Sequence, residues 1–449
     1  MKPQFLIGGA TSGSGKTVFA LGLLRALKKR GIKVQPYKCG PGFMDTQLHA
    51  ISSGTDSVNL DSWFAGRTHL QYVYNKYGEK AEVCMIEGNS ALFDGYRRMQ
   101  GSSAEMSQLV SVPVVLVVNA RSAAYSVAPM LYGYKLFRPQ VKIVGVVFTH
   151  VSSPTHFSYL KDACNDAGLN SLGYIPYDES LKLPQRHTAL TQSVRSEIEE
   201  VAEKAASYVE QNIDIERILK MCTRIFPCEY TLPYTSDVEE TGFQYEGKHK
   251  SLKIAVARDS AFNLIYKENI DRLSAIGNIT YFSPLYSNNL PEADILYLPG
   301  GFPEMFARQL HRRKPLMKQL KDYAEKGGKI IAEGGGMVLL SRSLTVREGG
   351  STYEMSGVLP FGCTMIDSHL HTGYRIIESS EISLRGHEFR FLSIDTDNGK
   401  LASGVKVCSV KNTRGAETET CIYRYKNVIA GFTHWYWGET DILRLWDYV

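Results

Sequence analysis

The chain lacks the paired cysteines from which zinc sites and disulfide frameworks are built. Its eight cysteines stand singly, with no C-x-x-C pair among them. That argues against a structural zinc and a cross-linked secreted scaffold, and leaves reduced thiols of a cytoplasmic protein as the expectation. No window approaches the ~18 uninterrupted apolar residues of a membrane span. The first apolar run, Phe5–Ile7, comes too early and is too brief for a signal peptide. A marked excess of one charge is also missing. The net charge of +5 is small for 449 residues, so nucleic acid and membrane are not expected partners, although an acidic substrate would suit it. Tandem repeats and low-complexity tracts are absent from both halves. With 43% hydrophobic and 22% charged residues, the composition suits two or three globular domains with sizeable cores.

The most informative stretch is Ala10–Thr17, reading Ala-Thr-Ser-Gly-Ser-Gly-Lys-Thr. A short apolar run precedes it, and Ala20, Leu21, Leu23, Leu24 and Leu27 follow at helical spacing. Strand, glycine-rich loop and helix form the context of a phosphate-binding loop. Small residues, Gly13 and Gly15 among them, let backbone N–H groups curl around phosphate oxygens, and the helix N-terminus adds partial positive charge. Lys16 would reach the β- and γ-phosphates, and the Thr17 hydroxyl would sit on Mg²⁺. Ala10 stands where the strict pattern has its first glycine. The competing reading is a glycine-rich turn that happens to carry a lysine, but both flanks favour nucleoside triphosphate binding.

Apolar, β-branched runs recur at Ile32–Tyr37, Val83–Ile86, Val112–Val118, Ile143–Phe148 and Leu172–Ile175, separated by helical or turn material. This pattern predicts buried parallel strands with crossover helices. Ile198, Val201, Ala205 and Val209 predict a helix that closes the first domain. The segment from Cys228 to Ser251 is polar and irregular, and a second strand-rich pattern begins at Leu252. The expected fold is α/β in two domains: a doubly wound P-loop ATPase over 1–228, a linker over 229–251, and a second α/β domain over 252–449.

Taken together the motifs carry a resemblance. They comprise Gly9–Thr17, Lys38-Cys-Gly-Pro-Gly-Phe-Met-Asp45 with His49, Asn59-Leu-Asp61, and Glu87-Gly-Asn-Ser-Ala-Leu-Phe-Asp-Gly95. In the later part come Pro184-Gln-Arg-His187, Leu298-Pro-Gly-Gly-Phe-Pro-Glu304, Gly373-Tyr-Arg375 and Gly386-His-Glu-Phe-Arg390. In this order, over nearly the whole chain, they resemble cobyrinic acid a,c-diamide synthases. Such proteins fuse an ATPase of the dethiobiotin-synthetase type to a class I glutamine amidotransferase-like domain. The resemblance implies ATP- and Mg²⁺-dependent amidation of carboxylates on a corrinoid or related tetrapyrrole, and a possible homodimer. It implies Asp45 and Glu87 as Mg²⁺ ligands beside Thr17, and hard carboxylate oxygens suit that ion. The competing picture is two turn carboxylates facing water. Asp94 matches a position near the reacting group. Lys38, Arg186 and His187 match positions that would meet an acidic substrate, an arginine by its bidentate fork. For Arg97 and Arg98 a solvated basic turn is the better reading.

The resemblance breaks where nitrogen chemistry would occur. Related amidotransferases carry a nucleophilic cysteine at a strand-to-helix elbow, whereas Ile331-Ala-Glu-Gly-Gly-Gly-Met-Val-Leu339 places Gly334 there. Glycine has no atom with which to form a γ-glutamyl thioester. Gly300 and Gly301 resemble the oxyanion loop, and His434 matches the general base, although a histidine between aromatics is by itself more often structural. Tyr436 follows where many relatives have His or Glu, and Cys363 reads as an inert buried thiol. In the first domain Gly42 replaces an aspartate, Asn89-Ser-Ala91 a Val-Met-Gly run, Asn119 an aspartate and Thr149 an asparagine. The expectation is an ATP-dependent carboxylate-amide ligase whose ammonia comes from solution or a separate glutaminase. Two alternatives stay open: a non-catalytic corrinoid- or nucleotide-binding paralogue, and a ligase for another carboxylic acid.

Overall fold

Apolar runs too short for helices and bounded by turns bury as strands with helices on both faces. The computed structural model describes residues 1–184, 189–228, 252–346, 350–366, 369–378, 383–396 and 404–448. The chain divides into two compact units, Met1–Arg186 with Gln192–Glu239, and His187–Thr191 with Glu240–Val449. The expected linker at 229–251 lies outside the described residues.

The first unit alternates strand and helix: β1 (Lys2–Gly9), α1 (Lys16–Lys29), β2 (Val34–Cys39), α2 (Phe43–Ser53), β3 (Val58–Leu60), α3 (Arg67–Gly78) and β4 (Val83–Glu87). It continues with α4 (Ser103–Leu109), β5 (Val114–Asn119), α5 (Val127–Phe137), β6 (Ile143–Val151), α6 (Pro154–Asp166), β7 (Ser171–Pro176) and α7 (Gln192–Asn212). The strands are parallel in the order β3-β2-β4-β1-β5-β6-β7. Strand β1 thus lies between β4 and β5, and loops at the carboxyl ends of β1, β2 and β4 converge at one edge, where open α/β sheets bind ligands.

Beneath that edge, Phe5, Ile7, Val115, Val117 and Val147 pack against Phe19, Leu23 and Leu24 of α1 and against Ala205 and Val209 of α7. Each large side chain so buried contributes about 1.5–3 kcal/mol. Helix α1 approaches α7 closely at Gly22, where an added Cβ would fall 2.8 Å from the Ala205 carbonyl carbon and oxygen and 2.9 Å from Val209 Cγ2. The absent side chain is therefore a packing requirement.

The second unit holds a ten-stranded mixed sheet. Gly277–Phe282, Leu252–Ala257, Ile295–Leu298, Lys329–Glu333 and Val428–Gly431 form its parallel part. Glu417–Tyr425, Lys406–Lys411, His371–Glu378, Ser383–Arg390 and Thr433–Tyr436 extend it in antiparallel pairs. Among the described residues no helix is long and apolar enough to cross a membrane. Gly22→Val should cost about 1–3 kcal/mol of unfolding free energy through overpacking of α1 on α7. Urea denaturation measures it, and wild-type stability would show that the two helices can separate freely.

Candidate functional site

Strand β1 ends at Gly9 and helix α1 starts at Lys16, so Ala10–Gly15 must reverse direction within a few residues. Gly13 and Gly15 do so with φ of 72° and 83°, in the left-handed region that glycine enters without a Cβ penalty. Thr149, at the end of β6, pins the loop, its hydroxyl donating to the Ser14 carbonyl at 2.8 Å. A Cβ on Gly15 would fall 2.9 Å from Thr149 Cγ2, so loop and clamp fit only with glycine. The Tyr134 hydroxyl of α5 donates to the Ala10 carbonyl. Lys16 folds back along the loop and donates to the Ser90 carbonyl at 2.5 Å. No acidic residue occupies the first turn of α1, so no side chain of that turn competes with an anion for its N-terminal dipole.

Thr17, the second residue of α1, turns toward Glu87 at the end of β4, its hydroxyl donating to Glu87 Oε1 at 2.7 Å. Lys38 ends beside Glu87 because β2 pairs with β4 in the register Lys38↔Glu87. Its ammonium stands 2.9 Å from Asp45 Oδ2 and 3.3 Å from Glu87 Oε1. Asp45 lies in the first turn of α2, and His49, four residues on, shares its face. His49 Nε2 is 2.6 Å from Glu87 Oε2, and Nδ1 is 3.0 Å from Ser57 Oγ. Glu87 and His49 have no exposure, and Asp45 only 5%, so the picture of two carboxylates facing water is overturned. Burial pushes the Glu87 carboxyl up, but Lys38, the hydrogen bonds from His49 and Thr17, and the charge on His49 outweigh it and hold the group well below the usual carboxylate range.

Among the described residues no group of three or more His, Cys, Asp or Glu could hold a metal unaided. Mg²⁺ does not require one, since it commonly uses one or two carboxylates and retains water. Asp45 and Glu87 flank the Lys38 ammonium and the Thr17 hydroxyl reaches Glu87 Oε1, so hard oxygens of the kind Mg²⁺ takes meet at this edge. Gly42 subtracts from the set. A Cβ there would lie 3.1 Å from Asp45 Oδ2 and 3.7 Å from Lys38 Cε, so an acid at 42 would have joined this cluster.

The structure brings Gly13, Gly15, Lys16, Thr17, Lys38, Asp45 and Glu87 to one edge. Lys38, expected as a substrate contact, is buried and engaged with the two carboxylates. Asp94 is exposed on the loop after β4, whose Leu92 amide donates to the Gly9 carbonyl at 2.8 Å. Its charge, after burial, raises the Tyr134 phenol. Arg97 and Arg98 are exposed. Arg186 and His187 lie outside the described residues. The sequence reading gave no role to Ser57, Ser90 or the Thr149 clamp. His49 alone had a visible signal, its spacing of four from Asp45.

In the second unit Lys329–Glu333 runs into the short helix Gly335–Leu340 through Gly334, at φ 48° and ψ −114°. A Cβ on Gly334 would stand 2.6 Å from His434 Cε1 and 3.4 Å from Gly300 Cα. One on Gly300 would collide with the same ring, and one on Gly335 would lie 3.1 Å from the Gly301 amide nitrogen. Elbow, glycine loop and histidine therefore meet in the second unit. Burial pushes His434 down to about 4 despite the charge of Glu388. Glu388 itself is ion-paired at 2.6 Å with both Arg375 and Arg390. Tyr436 packs edge-on against Tyr266, ring centroids 5.9 Å apart. Cys363 is fully buried with its thiol pushed up to about 12 by burial, which makes it a poor nucleophile.

A nucleotide-binding P-loop unit followed by an amidotransferase-type unit defines a class of two-domain amidating proteins. Residues 5–190 match the CobQ/CobB/MinD/ParA nucleotide binding domain, and residues 253–442 the CobB/CobQ-like glutamine amidotransferase domain. The cobyrinate a,c-diamide synthase of Caldanaerobacter subterraneus subsp. tengcongensis is 34% identical, covering 96% of this chain and 94% of its own. Its namesake from Listeria innocua is 35% identical over 96% and 95%, and that of Saccharolobus solfataricus 30% over 98% and 99%. The chain belongs to the cobyrinate a,c-diamide synthase family.

Glu333, one residue before the elbow, accepts from the Tyr297 hydroxyl at 2.9 Å and the Trp435 amide at 3.2 Å. Burial nonetheless pushes its carboxyl up to about 8. Because the folded form keeps a proton that the unfolded form releases, this group's stabilisation is complete below pH 4.5 and is lost as pH rises toward 8. Between pH 6 and 8 the wild type should lose about 2 kcal/mol relative to Glu333→Gln. Denaturant unfolding at both pH values checks this, and parallel pH profiles for the two proteins would exclude it.

Proposed function

We propose that this chain is an ATP- and Mg²⁺-dependent ligase that amidates carboxylates of a corrinoid, as the names of its relatives describe, and that its own second unit does not release the ammonia. The observation that carries the ligase reading is the cluster of Thr17, Lys38, Asp45 and Glu87 beside Lys16. A cleft of about 520 Å³ opens next to Gly15, lined by Thr149, His150, Pro176, Tyr177 and Leu181 among others. It has the size and mixed lining of a small-ligand pocket, and a nucleoside seated there would direct its phosphates along the loop.

A carboxylate is a poor acyl donor because its charge repels nucleophiles and oxide is a bad leaving group. Its oxygen attacks the γ-phosphorus of ATP, the bond to the β-phosphate bridge oxygen breaks, and ADP departs, leaving an acyl phosphate. Ammonia then attacks the acyl carbon, phosphate leaves, and a proton is lost from nitrogen. Positioning and charge neutralisation are the protein's contribution. Lys16, freed from the Ser90 carbonyl, would meet the β- and γ-oxygens, with backbone amides of the loop around them. Mg²⁺ held by Thr17, Asp45 and Glu87 would neutralise phosphate charge. Asp94, exposed on the loop after β4, is the candidate to meet the reacting group, and Arg186 and His187 remain the candidates to pair with other carboxylates of the macrocycle.

Two features support an external nitrogen source: no side-chain atom at Gly334, and the His434 ring only 2.6 Å from where a Cβ at 334 would go. The alternative of a non-catalytic corrinoid- or nucleotide-binding protein draws on the same glycine together with Gly42, each lacking a reactive side chain. Turnover separates the two readings.

Lys16→Ala should weaken nucleotide binding about 10- to 150-fold by removing a charge-assisted phosphate contact worth roughly 1.5–3 kcal/mol. Calorimetric titration measures this, and equal binding by both proteins would sink the assignment. ATP-dependent amide formation on candidate tetrapyrrole acids should respond to ammonium and ignore glutamine. Glutaminase activity should not exceed that of His434→Ala. Robust glutamine hydrolysis that a thiol-alkylating reagent abolishes would overturn the nitrogen assignment. Absence of turnover with any acid would favour the binding protein.

A further inference from the structure

Three side chains meet Glu87. Thr17 belongs to the phosphate loop and Lys38 also holds Asp45, whereas no part in the proposed function has yet fallen to His49. It is fully buried, yet it makes the shortest contact of the carboxylate, 2.6 Å from Nε2 to Oε2. On its far side Nδ1 lies 3.0 Å from Ser57 Oγ, on the approach to β3. The two carboxylate oxygens are thus divided. Oε1 faces Thr17 and Lys38, toward the phosphate loop, while Oε2 is turned inward to His49. Nε2 meets the carboxylate and Nδ1 meets the Ser57 hydroxyl, so both ring nitrogens are engaged and the ring plane is fixed from two sides.

We propose that His49, oriented by Ser57, is a positioning residue that fixes the Glu87 carboxylate so that Oε1 is presented to the cation bound with ATP. The proposal rests on the Mg²⁺ reading given above. A carboxylate side chain has rotamer freedom that must be removed before it can serve as a ligand with fixed direction. Without His49 the buried Oε2 would lose the partner shown for it, and a rotamer that turns both oxygens toward Thr17 and Lys38 would compete. Partners behind a ligand typically tune metal affinity or activity 10–100-fold. Asp45 and His49 lie four residues apart on one face of α2, so the same helix supplies both a carboxylate for the cation and the brace for its companion.

The test measures ATP affinity by calorimetry, with Mg²⁺ and with EDTA, and takes the ratio as the Mg²⁺ coupling. His49→Leu should lower that ratio about 10- to 100-fold while affinity in EDTA stays at the wild-type level. His49→Gln keeps an N–H within reach of Oε2 and should recover most of the coupling. Wild-type coupling in His49→Leu would overturn the proposal. So would an equal loss with and without Mg²⁺, which marks a merely structural histidine. Should His49→Leu not fold, Ser57→Ala carries the test: coupling reduced severalfold supports the proposal, and unchanged coupling overturns it. Glu87→Gln separates this from the underlying reading. If Glu87→Gln retains full coupling, or the wild type has none, the Mg²⁺ assignment falls and takes the brace with it. If Glu87→Gln loses coupling and His49→Leu does not, the brace alone falls.

Discussion

A carboxylate with no solvent exposure ends β4, and the arrangement around the phosphate loop follows from keeping Glu87 charged. Burial alone drives such a group to its neutral form. Donors arrive instead from three different elements: Lys38 from β2, His49 from α2 and Thr17 from α1. Taking one partner from a buried pair costs on the order of 3–5 kcal/mol, because the remaining charge is left uncompensated. The strand order is tied to this requirement. Lys38 reaches Glu87 because β2 and β4 are neighbours in register, and Thr17 does so because α1 starts directly above β1, the other neighbour of β4. Fold and candidate site are one constraint seen at two scales.

The second unit treats its buried acids in two ways. Glu388 keeps its charge through Arg375, Arg390 and Thr420. Glu333 has only neutral donors, Tyr297 and the Trp435 amide, and burial pushes it up to about 8. Burial shifts both groups beside the elbow toward their neutral forms, Glu333 upward and His434 downward. In a thiol-bearing site such a histidine would accept a proton; here no group at position 334 has one to give.

The phosphate loop and the parallel strands were legible because both are written in local pattern: glycine spacing, and apolar runs of four to eight residues. Strand boundaries shifted by up to three residues: β2 begins at Val34 and runs to Cys39, and β6 runs on to Val151. Strand β3 escaped because three residues carry no period. The antiparallel extension of the second sheet was harder to read. Ser383–Arg390 alternates buried and partly exposed residues while including Arg385, His387, Glu388 and Arg390, so charge masks its period of two. The identities of the site residues were visible in motifs, but their pairing was not. Lys38 looked like an open substrate contact, and only the β2–β4 register reveals that it spans two buried carboxylates. Thr149 looked like a departure, and only in three dimensions does it become the clamp on the phosphate loop.

A glycine at the elbow suits the fold, and the reason lies in the backbone. At φ 48° and ψ −114° a side chain is strained, and strain at a nucleophile is tolerated only while the surroundings enforce it. Glycine relieves that strain, so Gly334 suits the turn better than any residue it could replace. The reverse step is not symmetrical. The His434 ring stands 2.6 Å from where a Cβ would go, and it rests on Gly300, where no side chain fits either. A thiol placed at 334 would have to displace a fully buried ring held between two glycines. Restoring chemistry here therefore requires repacking His434 as well as changing one residue, which makes the glycine elbow a settled state of this unit.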